Sequence, residues 1–287
     1  RTDIPGVKFI TASMWIAFFL PTLPVVLGWI LLLDPDFGLV NQFIAGVFGT
    51  KNGPFDIYTY WGIQFAHLMT KAVAVKYIFM LPAFRNISAA LEETSRVCGG
   101  GAFYTLRHIV IPVLKPAILI TLIVSLIHSL ESFEIELILG APIDFQVFST
   151  KIYALINEDE PQFGMATVLG LGILGIMLPL IFWQRYVSML RDYATVTSGF
   201  KTDVLKLRAW RWPVFALIAL FAVNLTLVPF VFLLLATFMK IFGYFTLPGG
   251  ALSLEHWKLV FADPIFMNSV VNTFELGIGA ALLGTVF

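Results

Sequence analysis

The sequence predicts an all-α protein, a polytopic bundle of about six helical membrane spans. Two observations carry that expectation. Hydrophobic residues make up 59% of the chain and charged residues 13%, where an ordinary soluble domain is nearer half apolar and a quarter charged. The apolar runs also reach the ~20 residues that a helical span needs. The formal net charge is zero, so bulk charge makes no case for nucleic-acid binding. A single cysteine, Cys98, excludes an intrachain disulfide and any cysteine-cluster metal site. No signal peptide is visible. The chain opens on Arg1-Thr2-Asp3 and closes at Phe287 inside an apolar run, so it reads as an internal fragment of a longer protein.

The first expected span is Phe9–Leu33, kinked at Pro21 and Pro24. A loop follows over Asp34–Asp56, and its Asn41–Phe48 part is apolar enough to lie along a surface. The second span, Ile57–Leu81, contains His67, Lys71 and Lys76. Lys76 is placed to snorkel to the interface. Lys71 lies deeper and either snorkels too, pairs inside the bundle, or lines a path for an anionic or chelated substrate. The first two readings are preferred, because the sequence names no partner for it. His67 reads as a hydrogen-bonded bundle residue rather than a metal ligand. Val113–Leu130 is the third span, running into Glu131, Glu134 and Glu136. Glu131 and Glu134, three apart, are expected to share a helical face. Oxygen ligands suit a hard cation, but a solvated mouth of the bundle is the preferred reading. With Lys71, these two are the candidates for a substrate path. A short helix is expected around Thr150–Ile156, and Glu158-Asp159-Glu160 fits no calcium loop. Gly164–Trp183 is the fourth span, with Ala166 and Gly170 as a small-residue pair for close packing. Gln184–Arg211 is a basic linker, Trp212–Met239 the fifth span and Met267–Phe287 a sixth, cut short, with Glu275 inside it.

Basic residues orient the bundle. With the first residues on the cytoplasmic side, twelve Lys and Arg fall there and four on the other side, leaving Lys71 and Lys76 in the second span. The stretch Leu91–Pro116 and the linker then both face the cytoplasm, and Cys98 sits in a reducing compartment.

Leu91–Pro116 interrupts two apolar runs. Glu92 and Glu93 are placed to start a helix, Gly99, Gly100 and Gly101 to turn the chain. A second short segment carries Arg107 and His108, and Pro112 enters the next span. The predicted unit is a helix–turn–helix joining two spans. Its spacing is Glu93-Thr94-Ser95, three residues, Gly99, nine residues, Ile109, one residue, Ile111-Pro112. This resembles the cytoplasmic signature of permeases of binding-protein-dependent ABC importers: Glu-Ala-Ala, three residues, Gly, nine residues, Ile, one residue, Leu-Pro. The spacing matches throughout, with Thr94 and Ser95 for the two alanines and Ile111 for leucine. These departures leave the helical expectation intact and bear on the detail of docking. Arg1–Gly6, Glu131–Gly140 with Ser149–Tyr153, and Asn272-Thr273 also look like segments of the ferric-iron type, whose members often carry two permease units in one chain.

The resemblance implies the type I importer fold. It implies a first permease unit over 1–183, lacking its N-terminal part, a cytoplasmic linker over 184–211 and the start of a second unit over 212–287. It implies an inner-membrane subunit partnered by cytoplasmic ABC ATPase subunits and an extracytoplasmic binding protein. ATP is then used by the partner, and no cofactor or metal is assigned to this chain. Glu92, Glu93, Arg96, Gly99, Gly101, Arg107, Ile109 and Pro112 are the implied coupling residues: Glu93 for helix start and polar contact, Gly99 for the turn, Arg96 and Arg107 for surface contact. The alternative for the arginines is contact with lipid headgroups. An enzyme is not expected: there is no Gly-Lys pair for a P-loop, and no nucleophile elbow or paired-histidine zinc motif. Ferric iron is the implied substrate, with thiamine, phosphonates and polyamines carried by related permeases. Two other classes stay open. An ion-coupled secondary transporter would use Lys71, His67, Glu275 and the Pro21/Pro24 kink. A membrane anchor without transport is compatible with the polar loops.

Overall fold

A computed structural model describes residues 3–87, 89–189, 207–243 and 252–286. Fourteen α-helices follow in chain order: α1 Val7–Phe19, α2 Thr22–Leu33, α3 Leu39–Phe48, α4 Tyr60–His67, α5 Val73–Arg85, α6 Ala89–Val97, α7 Ala102–Thr105, α8 Ile111–Leu130, α9 Glu134–Gly140, α10 Phe148–Ile156, α11 Phe163–Met189, α12 Arg211–Phe238, α13 Glu255–Ala262 and α14 Pro264–Val286. Two π-helical segments, Leu68–Ala72 and Leu106–Val110, join α4 to α5 and α7 to α8. No strand occurs among the described residues.

Among the described residues, four helical stretches are long and apolar enough to cross a membrane: Phe103–Leu130, Phe163–Val187, Arg211–Phe238 and Pro264–Val286. The expected kink in the first span is a break. α1 and α2 meet at 105°. Leu20 is extended and Pro21 has ψ 139, because a proline pushes the residue before it out of the helical region. Counted as one span, the pair makes five. The second expected span is the one that differs. α4 has 8 residues and α5 has 13, and the π segment between them contains Thr70 at φ −97, ψ −137. Neither helix crosses alone; the span is broken at the level of Lys71.

α2 is the centre of the bundle. Val26 and Leu31 are wholly buried, and Val25, Trp29 and Ile30 nearly so. Val25, Val26, Trp29 and Ile30 pack with Ile63 and Ala66 of α4 and Ile135 and Leu139 of α9. α12 lies across α2 more extensively than any other pair of elements packs. Gly28 permits this: a Cβ there would sit 2.5 Å from the carbonyl oxygen of Pro229. A second cluster joins Met14 and Ala17 of α1, Ala74 of α5, and Ala222 and Leu225 of α12. The helix assigned from sequence to the second unit is therefore packed on the first. α14 buries no residue. Ala166 is buried, whereas Gly170 has open space around it, so the small-residue pair makes one close contact within this chain and not two.

Outside the spans, α3 covers the stretch expected to lie along a surface, and α10 the short helix expected around Thr150–Ile156. The loop between α2 and α4 is organised by Asp34. Its buried carboxylate accepts from the backbone N–H of Asp36 and Phe37 and from the Tyr58 hydroxyl at 3.0 Å. Burial, and then Asp34 itself, pushes the Tyr58 phenol well above the usual range.

Candidate functional site: the polar hairpin and the buried pair opposite it

The stretch read as a helix–turn–helix is a hairpin whose second arm is the span itself. α6 ends at Val97, the chain turns through Cys98–Gly101, and helix then runs from Phe103 to Leu130 without interruption. α6 begins at Ala89, so Glu92 and Glu93 lie a full turn inside it and do not open it. The dipole benefit falls off over that distance. Glu93 is exposed; the side chains of Glu92 and Arg96 fall outside the described residues. Arg107 is exposed, Ile109 is half-buried and Pro112 is the second residue of α8. A proline inside a helix clashes with the carbonyl four residues back. The π segment Leu106–Val110 lies where that clash would fall, and its wider turn lets the helix continue.

The three glycines differ in what they do. Gly99 has φ +82, the left-handed region that suits glycine. Gly100 passes close to α6: a Cβ there would lie 2.5 Å from Ser95 Oγ. Gly101 has open space around its Cα, and its carbonyl accepts from the Thr105 N–H and hydroxyl. Ser95 and Thr105 are buried and their hydroxyls meet at 2.8 Å. Thr94 is exposed and bonds back to the Ala90 carbonyl of its own helix. Of the two departures from the alanine pair, Ser95 is thus internal to the hairpin. Tyr104 stacks on His108 at 4.3 Å. Between the arms lies a groove of about 590 Å³ lined by Leu91, Thr94, Tyr104 and Ile109, with Cys98 exposed at its tip. At its base, Ile87 packs on Val110 and Leu114.

Lys71 is exposed within the first π segment, between α4 and α5. Glu131 and Glu134 are exposed too, but they do not share a helical face. α8 ends at Leu130 and α9 restarts at Glu134, because the chain turns through Ser132 and Phe133. Glu131 approaches His128 at 3.9 Å on the surface, a distance worth little in water. The structure does not bring these three candidates together. Of the glutamates in this run, Glu136 is buried, 5% exposed. Its Oε1 lies 2.7 Å from His67 Nε2, and the Ser132 hydroxyl donates to Oε2 at 2.7 Å. The Ser149 hydroxyl donates in turn to the Ser132 carbonyl. Burial alone would raise the Glu136 carboxyl, but the His67 and Ser132 hydrogen bonds and the charge of the imidazole outweigh it and hold the group below its usual value. His67 is the hydrogen-bonded bundle residue that the sequence suggested. Local pattern does not set Glu136 apart from Glu131 and Glu134, although Ile135 and Leu139 flank a buried face and Ser132 is one turn before it. No cluster of three metal-ligating side chains occurs among the described residues.

Residues 5–190 match the model of the family described as "Binding-protein-dependent transport system inner membrane component". The chain is 30% identical over 186 residues to the ferric transport system permease protein FbpB of Actinobacillus pleuropneumoniae, covering 64% of this chain and 26% of that protein. It is 25% identical over 272 residues to the putative ferric transport system permease protein FbpB 1 of Haemophilus influenzae, covering 91% of this chain and 41% of that one. It is also 31% identical over 188 residues to the probable sulfate transport system permease protein cysT of Prototheca wickerhamii, covering 63% and 69%. The chain thus spans less than half the length of the two ferric relatives. No solved structure matches it. A multi-helix apolar bundle, a polar hairpin with the permease spacing and this family match agree: the chain belongs to the binding-protein-dependent transport system inner membrane components.

Proposed function

We propose that the protein is the permease of an ATP-driven importer for ferric iron and that the hairpin Leu91–Pro116 couples it to a cytoplasmic ATPase. The observation that carries the coupling reading is the hairpin itself. Its spaced residues sit on α6, on a turn that needs Gly99, and on an arm continuous with a span. An ATPase subunit seated on α6 would push directly on that span. ATP is hydrolysed in the partner, and an extracytoplasmic binding protein delivers cargo to the end bearing α9 and α10. Arg107 supplies surface contact to the ATPase. Lys71, Glu131 and Glu134 are candidates for the cargo path.

Ferric iron is favoured over sulfate by the extent of similarity. The match to the Haemophilus ferric permease runs over 272 residues and takes in the linker and the helices beyond it. The match to the sulfate permease covers 63% of the chain. The test is uptake by the full-length protein reconstituted with its ATPase and binding protein in vesicles. Expected is radiolabelled ferric iron uptake that needs internal or external ATP on the ATPase side and survives protonophore. Uptake driven by a proton or sodium gradient without ATP would overturn the importer reading in favour of a secondary transporter. ATP-dependent uptake of sulfate in place of iron would overturn the cargo alone.

A further inference from the structure

We infer that Ser95 and Thr105 form a latch that makes the hairpin and the span above it move as one body. The inference rests on the coupling reading of the hairpin and adds the positioning residues through which that coupling would act. Thr105 Oγ1 lies 2.8 Å from Ser95 Oγ and 3.1 Å from the Gly101 carbonyl. A carbonyl only accepts, so the Thr105 proton goes to Gly101 and Ser95 donates to Thr105. The relay Ser95 to Thr105 to Gly101 closes the two arms across the turn. Both hydroxyls are buried. A buried hydroxyl without a partner is costly, so each holds the other's arm in place.

The surroundings are shaped to this bond. Gly100 leaves room for the Ser95 hydroxyl where a Cβ would collide with it. The Gly100 N–H donates to the Ser95 carbonyl at 2.8 Å, a second tie at the same point. At the base of the hairpin Ile87 packs on Val110 and Leu114, and the latch ties the two arms at the far end. A displacement of α6 then passes through Thr105 into a helix that is unbroken from Phe103 to Leu130, about 40 Å in length. Alanine at position 95 would leave Thr105 bonded to Gly101 within its own arm, with no side-chain bond across to α6.

The test uses the full-length protein with its ATPase and binding protein in vesicles, comparing Ser95→Ala and Thr105→Val with Ser95→Thr. Expected is normal co-purification of the ATPase with at least a threefold rise in ATP hydrolysed per cargo moved, restored by Ser95→Thr. The double variant is expected to be no worse than the poorer single one, because both remove the same bond. An unchanged ATP-to-cargo ratio in the single variants, or additive losses in the double, would overturn the latch. A second measurement needs no transport. Spin labels at Val97→Cys and Val113→Cys, with Cys98→Ser, report the distance across the hairpin. Broadening in Ser95→Ala or Thr105→Val is expected; an unchanged narrow distribution sinks the proposal. If the unaltered protein shows neither ATP-driven uptake nor stimulated ATPase activity, the coupling reading fails, while the spin-label distances still decide the latch.

Discussion

Two residues carry consequences that can be measured singly. Gly99 has φ +82 with nothing crowding its Cα, so Gly99→Ala meets only backbone strain, of order 1 kcal/mol. The variant is expected to insert and assemble but to lose most of the binding-protein stimulation of ATP hydrolysis, which a coupled ATPase assay reads. Glu136 is the other. Its carboxyl is held below the usual range. A group lowered in the folded state contributes stability that is present above its unfolded value and lost as pH falls through its folded value. Thermal unfolding in detergent should therefore show a loss that begins near the ordinary glutamate value of about 4.3 and deepens below it. Glu136→Gln is expected to flatten that part of the pH profile. At neutral pH it should cost about 1–3 kcal/mol through the weakened bond to His67. A profile identical to the unaltered protein would remove Glu136 from this role.

At the scale of elements, the joints matter more than the helices. α1 and α2 diverge at Pro21 because Leu20 is forced extended, and the resulting 105° bend places α2 in the middle of the bundle. α2 then meets α12 at Gly28 with backbone against backbone. The Pro229 carbonyl cannot swing aside as a side chain would, so Gly28→Ala overpacks this contact. A loss of about 1–3 kcal/mol is expected, read as a lower unfolding temperature in detergent. The two π segments are joints of another kind. Leu106–Val110 lets a helix pass Pro112 and so joins the hairpin to its span. Leu68–Ala72 divides α4 from α5 one residue after His67, where the buried pair with Glu136 ties that joint to α9. Local pattern located both prolines and the glycine turn. It did not show that a π turn would carry the chain past Pro112, because the widened turn depends on the strain of the whole helix and not on one residue type.

For the whole molecule, the excess of basic residues on one side predicts a cytoplasmic hairpin. Cys98 is exposed at the hairpin tip and is the only cysteine of this chain. With any cysteine outside these 287 residues replaced, a membrane-impermeant maleimide should label Cys98 in inside-out vesicles and leave it unlabelled in intact right-side-out ones. The reverse pattern would invert the orientation. The packing of α12 on α1 and α2 also predicts that the chain can be split in its linker. Residues 1–200, co-expressed with the remainder from 201 onward, should co-purify through detergent. Separation of the two pieces would mean that the α2–α12 contact is too weak to hold them.

The sequence alone determined the membrane class, the order of most apolar helices and the spacing of the hairpin. Each of these is written in local composition or in distances along the chain, and burial in lipid enforces them whatever the helices later pack against. Tertiary structure decided the rest. It made Glu136, and neither Glu131 nor Glu134, the buried carboxylate, because His67 reaches it from 69 residues away. It turned Ser95 from a departure at a docking surface into an internal tie to Thr105. It set α12 against the helices before the linker. Which polar atoms face each other depends on how helices cross, and side-chain periodicity along one helix does not specify the partner on the next.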